Sequence, residues 1–303
     1  MTTIMTPTWA IDGVTFNVAD ADVEWIIHED EGWDNPPELK DSLSSRMIGA
    51  GSYDSVAYPG TRLIVLDGLL RGSSRTIVEK ALRKLALVGG SGLATPLVRT
   101  DEELALQCMV KRAARPSTRR LSPTDVLFQL SLVAPDPRKY SAELHSTPAV
   151  GLGTPPTGGV LWDGPAGGTG LQWGGPAGGT GVIWQGAAGT PGIVTVTNAG
   201  NEPAPLQFAI TDSAEAIPNP GIQNLSTGEV IAYSGVLPMG SLLEIDADPE
   251  AASVLVDGSN RGPSLSRAEF FTVPPETSIQ ILFTSTAPAP GASLVVRWRD
   301  TYI

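Results

Sequence analysis

Apolar and polar residues alternate with a period of two along much of the chain. Leu104, Leu106, Cys108 and Val110 recur at every second position, and Val126, Phe128, Leu130 and Leu132 do the same. That is the pattern of half-buried strands. Leu63 to Leu66 is a short, β-branched apolar run, read as a buried strand closed by Asp67-Gly68. Ile11-Asp12-Gly13-Val14 carries the Asp-Gly signal of a tight hairpin. One segment has helical spacing, from about Arg75 to Val88. Ile77, Val78, Ala81, Leu82, Leu85 and Ala86 fall on one face, Thr76 and Glu79 stand at capping-box spacing, and Gly89-Gly90 supply a stop. From Ile193 onward, about eight short strands are expected at roughly 8–12-residue spacing. They are Ile193–Thr197, Leu206–Ile210, Val230–Tyr233, Ser241–Asp246, Ser253–Val256, Glu269–Val273, Ser278–Phe283 and Ser293–Trp298. The expected class is mainly β: an N-terminal barrel-like or split-barrel domain with one flanking helix, then a C-terminal β-sandwich.

Composition sharpens this picture. Gly 34 and Pro 26 among 303 residues argue against a helical bundle and for short strands joined by turns. No run reaches the roughly 18–20 apolar residues that span a bilayer, so no membrane insertion is expected. The first residues show neither a basic region nor an apolar stretch of the secretory type. Cys108 is the single cysteine, which removes any intrachain disulfide or thiolate zinc cage and fits synthesis in a reducing cytoplasm. Its place on an apolar phase makes it an inert core thiol.

Charge divides the chain. Residues 1–150 carry 19 acids and 16 bases, whereas residues 151–303 carry 13 acids and 4 bases and no lysine. Between Gly151 and Gly192, 16 Gly and 5 Pro fill 42 positions, with an 11-residue repeat that places Trp162, Trp173 and Trp184 in one phase. Three segments follow: 1–145, 146–192 as a Gly/Trp-repeat connector or insertion, and 193–303. The three tryptophans fit either a ladder that stacks on sugar rings or rings packed on a neighbouring domain or subunit.

Candidate chemistry is sparse. His28 and His145 are not at metal-ligand spacing, and His28 opens an acidic stretch read as a solvated loop. Asp101-Glu102-Glu103 reads as a charged loop opening a strand. Phosphate-loop and nucleophile-elbow motifs are absent from the sequence. Asp246-Ala-Asp248-Pro-Glu250 resembles the start of a calcium loop but lacks its fixed Gly and closing Glu. No catalytic set, metal or cofactor is expected. Lys111, Arg112, Arg115, Arg119 and Arg120 form the one basic cluster of a chain with net charge −12. Without interleaved aromatic residues they suit docking to an acidic subunit face, or simple solvation, better than nucleic acid.

Certain strings, taken in order, resemble the distal tail protein of long-tailed, non-contractile bacteriophages. In the first half these are Trp9 with Asp12-Gly13-Val14, Gly32-Trp33-Asp34-Asn35-Pro36-Pro37-Glu38, Tyr58-Pro59-Gly60-Thr61-Arg62, Leu66-Asp67-Gly68 and Ala134-Pro135-Asp136-Pro137-Arg138-Lys139-Tyr140. In the second they are Val196-Thr197-Asn198-Ala199-Gly200, Pro220-Gly221-Ile222-Gln223-Asn224, Leu243-Glu244-Ile245-Asp246, Val256-Asp257-Gly258, Phe270-Phe271-Thr272-Val273-Pro274-Pro275 and Val296-Arg297-Trp298-Arg299-Asp300. The resemblance implies a hexameric ring at the tail tip, made by the first domain, with a galectin-like second domain projecting outward. It implies as partners the tail tube protein, the tape-measure protein, the tail hub or tail-associated lysin, and receptor-binding proteins. The Trp/Gly repeat departs from that family. A carbohydrate-binding adhesin that contacts host cell-wall glycan is the alternative reading, and an enzyme is not expected.

Overall fold

The computed structural model describes residues 7–18, 20, 22–40, 44–48, 50, 52–53, 56–153, 157–158, 163–164, 168–169, 186–187, 192–212 and 214–303. Two compact units emerge. The first comprises Met1–Leu144, Gly200–Glu202 and Arg299–Ile303, and the second His145–Ala199 and Pro203–Trp298. Among the described residues, no helix is long and apolar enough to cross a membrane. Trp162, Trp173 and Trp184 lie outside the described residues.

The first unit is one antiparallel sheet with a helix against it. β1 (Thr8–Ile11) turns into β2 (Val14–Phe16) over Asp12 and Gly13, at φ 47° and 73°, the hairpin geometry that Asp-Gly favours. The other long strands are β3 (Val23–Glu31), β4 (Arg62–Gly72), β5 (Thr95–Thr100), β6 (Ala105–Arg112), β7 (Ser117–Arg120), β8 (Asp125–Ala134) and β9 (Lys139–Ser141). Their order is β2-β1-β5-β6-β8-β4-β3, with β7 on β8 and β9 on β6. Among the described residues the sheet stays open, but Asn17 ties its end strands. The Asn17 backbone N–H donates to the Trp25 carbonyl at 2.7 Å, and Asn17 Oδ1 accepts from the Ile27 backbone N–H at 2.7 Å. Asn17 does this at φ 60°, a left-handed conformation that asparagine tolerates. Residues 299–303 close the unit: Thr301–Tyr302 pairs with Lys139 and Tyr140, and Arg299 donates to the carbonyls of Ser141 and Ala142.

β4 and β8 pair over ten residues, and their inward positions, from Ile64 to Leu70 and from Val126 to Ala134, are buried. Here the structure corrects two expectations. Asp67-Gly68 does not end the strand, because β4 runs on to Gly72. A Cβ on Gly68 would stand 2.5 Å from both the Phe128 ring and the Ile26 carbonyl, so this glycine admits a close approach rather than a turn. His28–Glu31 is likewise strand rather than loop. β3 pairs Ile27 with Gly68 and then Glu29 with Asp67, which leaves His28 as a bulge. The extra residue reverses the alternation, so Asp30 turns inward and Glu29 and Glu31 join the outer face.

The helix α1 (Arg75–Leu85) ends three residues before the expected Val88. Its cap is Ser74, which is extended and accepts from the Ile77 amide at 3.4 Å, in place of Thr76. Glu79 is thereby released to bind Arg120 at 2.6 Å. Val78, Ala81 and Leu85 are buried, as the helical spacing requires, while Ala86 is exposed. At the other end Arg112 donates to the Ala86 carbonyl at 2.8 Å, placing a cation where the helix leaves carbonyls unpaired.

The second unit is a sandwich of antiparallel sheets. One sheet orders His145–Ser146, β18 (Ser293–Trp298), β11 (Leu206–Thr211), β14 (Leu242–Asp246), β15 (Ser253–Val256) and Ser259–Asn260. The other orders β10 (Ile193–Asn198), β17 (Thr277–Thr284), β12 (Gly221–Asn224), β13 (Val230–Tyr233) and β16 (Leu265–Ala268). Alternate residues of both sheets, among them Val196, Phe208, Ile222, Ile245, Ile281 and Leu294, form one core. The expected strand Glu269–Val273 is the exception. Phe271 and Val273 are buried, yet Val273 meets only an isolated bridge to Ala204, and Pro274-Pro275 supply no amide to extend a ladder. The strand instead precedes it, at Leu265–Ala268.

Replacing Gly68 by alanine should push the Phe128 ring out of place and destabilise the protein by about 1–3 kcal/mol. Urea unfolding followed by tryptophan fluorescence measures this, and an unchanged midpoint would contradict the close packing.

Candidate functional site

Four strings that are far apart in sequence meet in the first unit. Arg62, at the start of β4, is 1% exposed. Its Nε donates to the Pro137 carbonyl at 2.9 Å, and its Nη1 to the carbonyls of Gly32 (2.9 Å), Trp33 (2.9 Å) and Asn35 (2.6 Å). Lys139 Nζ donates to the same Trp33 carbonyl at 3.2 Å and lies 5.9 Å from the Trp33 ring. The Trp33 and Trp9 rings meet near a right angle with centres 5.0 Å apart, and the Arg99 guanidinium stands 5.4 Å from the Trp9 ring centre. Arg99 in turn is held by Asp34 (2.9 Å), Asp101 (3.2 Å) and Asp30 (3.5 Å). Two tryptophans are therefore bracketed by cations, a favourable use of ring faces.

The energetics explain why a cation can be buried here without a carboxylate beside it. Removing a guanidinium from water costs several kcal/mol. Hydrogen bonds to a charged group return about 1.5–3 kcal/mol each, and four carbonyls accept from Arg62. Its Nη2 is buried without a hydrogen-bond partner among the described residues. Burial lowers the pKa of Arg62, and burial with the nearby Arg62 charge lowers that of Lys139. Burial also raises Asp30, against the opposing pull of Arg99. Cys108 lies beside this cluster, with its Sγ 3.5 Å from the Arg138 carbonyl; burial pushes its thiol up to about 12, despite Arg62 and Lys139. A protonated, buried thiol packs and does not attack.

The cluster fastens the root of a long excursion. Gly32, at φ 84°, could not carry a Cβ, which would fall 1.8 Å from the Leu63 carbonyl. Glu38 accepts from the Gly60 amide, and Leu39–Lys40 pairs with Tyr58–Pro59. Leu39 and Tyr58 in this stem, and Met47, Ile48 and Val56 beyond it, are all exposed.

The basic residues do not act as one group. Arg112 caps α1, and Arg120 binds Glu79. Lys111 and Arg119 pair across β8 with Val133 and Leu127, which share its outer face, and Arg115 sits in the exposed turn between β6 and β7. His28 is exposed at its bulge, while His145 stacks on Trp298 at 5.3 Å. Asp246 and Asp248 accept from the amides of Asp248 and Glu250, so both carboxylates serve a turn. In the second unit a shallow groove of about 190 Å³ runs over the outer faces of β11, β14, β15 and β18, floored by Ala209 and edged by Gln207, Glu244, Asp246, Ser253 and Arg297.

No protein-family model matches the chain, and no curated protein matches it. Among solved structures, the Dit protein (gp 19.1) of phage SPP1 is similar over 98% of this chain and 100% of its own, with a TM-score of 0.63 at 11% identity. The chain has the fold of the SPP1 Dit protein. A chain of the phage P2 baseplate in its activated conformation with calcium covers 97% of this chain at 10% identity and a TM-score of 0.47; with strontium the values are 96%, 10% and 0.44. In this Dit fold, the strings at Gly32–Glu38, Tyr58–Arg62 and Ala134–Tyr140 are the ones joined by Arg62. Sequence reading missed that role, although a lone arginine at the head of the apolar run Leu63–Leu66 was its signal.

Arg62→Lys keeps the charge but loses the fork that reaches Pro137 and three further carbonyls. It should cost about 3–5 kcal/mol, seen as a lower urea midpoint. The Cys108 thiol sets an alkaline limit. Below pH 9 both folded and unfolded chains keep its proton; between pH 9 and about 12 only the folded chain does, so stability falls as pH rises. Relative to Cys108→Ala, wild-type protein should lose up to about 1.4 kcal/mol per pH unit across that window, measured by urea unfolding at successive pH values.

Proposed function

We propose that the chain is a structural protein of a phage tail tip. It forms a hexameric ring that joins the tail tube to the tail hub and the host-recognition apparatus. Its partners are the tube protein, the tape-measure protein, the hub or tail-associated lysin, and receptor-binding proteins. It is made in the host bacterial cytoplasm and carried in the virion. It takes no cofactor and makes or breaks no bonds.

The observation that carries this reading is the end-to-end likeness to SPP1 Dit, described as a paradigm of hub adsorption apparatus in phages that infect Gram-positive bacteria. The match covers 98% of this chain, so the likeness takes in both units and extends beyond a common sandwich or barrel. Two features of the first unit support it. The exposed arm around Met47 and Ile48 offers apolar area for assembly. The outer face of β3, β4 and β8 carries Glu24, Glu29, Glu31, Asp67 and Asp125 against Arg71, with Lys111 and Arg119 confined to the adjoining strands β6 and β7. A wall of this sign repels the phosphates of passing DNA and so suits a conduit.

Negative-stain images of the purified protein, alone and mixed with its tail partners, should show six-fold rings. A stable monomer under both conditions would overturn the proposal.

A further inference from the structure

The two ends of β6 carry opposite charge. At its start, the turn from β5 holds Asp101, Glu102 and Glu103, all exposed. Asp101 is taken by Arg99, but Glu102 and Glu103 remain on the rim of a surface recess of about 500 Å³ that also contains Thr8, Thr100 and Leu104. At its far end the chain makes an exposed turn, Ala113 to Pro116, with Arg115 exposed in it and Lys111 and Arg119 beside it on the outer face. Among the described residues, none of these three cations has a carboxylate within salt-bridge reach, whereas Arg112 and Arg120 are engaged within the unit. Eight residues of strand separate the two features by roughly 25 Å.

We infer that the basic turn of one copy seats in the acidic recess of the next, so that copies join head to tail through β6. The occupant follows from charge complementarity. In a chain of net charge −12, a cationic knob attracts an acidic hollow, and the same chain presents such a hollow at the opposite end of the same strand. Complementary patches at opposite ends make a heterologous contact, which repeats and can close into a ring. Leu104, 38% exposed within the recess, and Leu121, 57% exposed after β7, add apolar area to the two sides. This deepens the ring reading by naming the surfaces that meet.

The test is a charge swap on the full chain. One variant carries Glu102→Lys and Glu103→Lys, the other Arg115→Glu and Arg119→Glu, and sedimentation velocity is run at about 0.05 and 0.5 M salt. Wild-type protein should associate at low salt and weaken roughly tenfold or more at high salt. Each variant alone should weaken by a similar factor while keeping the wild-type melting temperature. An equimolar mixture should recover association, because each reversed surface then meets its opposite. Variants that associate like wild type would overturn the contact while leaving a ring held by other surfaces. A mixture that stays dissociated would overturn the pairing of these two surfaces. Wild-type protein that never associates at either salt would overturn the contact and, if rings are also absent with tail partners, the ring itself.

Discussion

A guanidinium withdrawn from water must be surrounded by acceptors, and Arg62 meets that demand with backbone carbonyls instead of a carboxylate. The choice has structural consequences. A carboxylate would satisfy it with one side chain, whereas four carbonyls require that residues 32–35 and residue 137 all lie in fixed positions. One side chain thus sets the backbone of two loops and the start of β4. The rings of Trp9 and Trp33 and the cations Arg99 and Lys139 then pack around a frame already determined. Because the carbonyls are main-chain atoms, the sequence of these loops is constrained mainly where the backbone is crowded, as at Gly32.

How much of this was legible in the sequence depends on the range of the interaction. Alternation in Val126–Leu132 and Leu106–Val110 reports a local preference and gave strands at the right phase, as did the Asp12-Gly13 turn and the apolar face of α1, whereas Leu104 falls just before β6 and is exposed. Errors fell where a distant residue decided the outcome. Gly68 reads as a turn until Phe128 is placed against it. His28–Glu31 reads as a loop because four polar residues hide a bulge that only pairing with β4 reveals. Phe270–Val273 has strand composition but finds no full ladder. Arg62 looked like one more cation until its acceptors, up to 75 residues away, were in position.

The basic cluster shows the same distinction within one short stretch. Five cations between residues 111 and 120 look equivalent by composition. The register of β6 and β7 against β8 separates them, turning Arg112 and Arg120 to work inside the unit and leaving Lys111, Arg115 and Arg119 outward. Position within a ladder, more than charge count, decides which side chains are available to a neighbour.

The membership of residues 299–303 in the first unit bears on how the molecule is made. Arg299 and Thr301 lie beyond the whole of the second unit in the chain, yet they hold Ser141, Ala142 and β9. On the ribosome, the leading unit therefore waits for some 150 further residues before its last strand can be added. Nascent or prematurely terminated chains present β9 without that partner, so the finished form of the leading unit is reserved for polypeptides whose translation has passed residue 302.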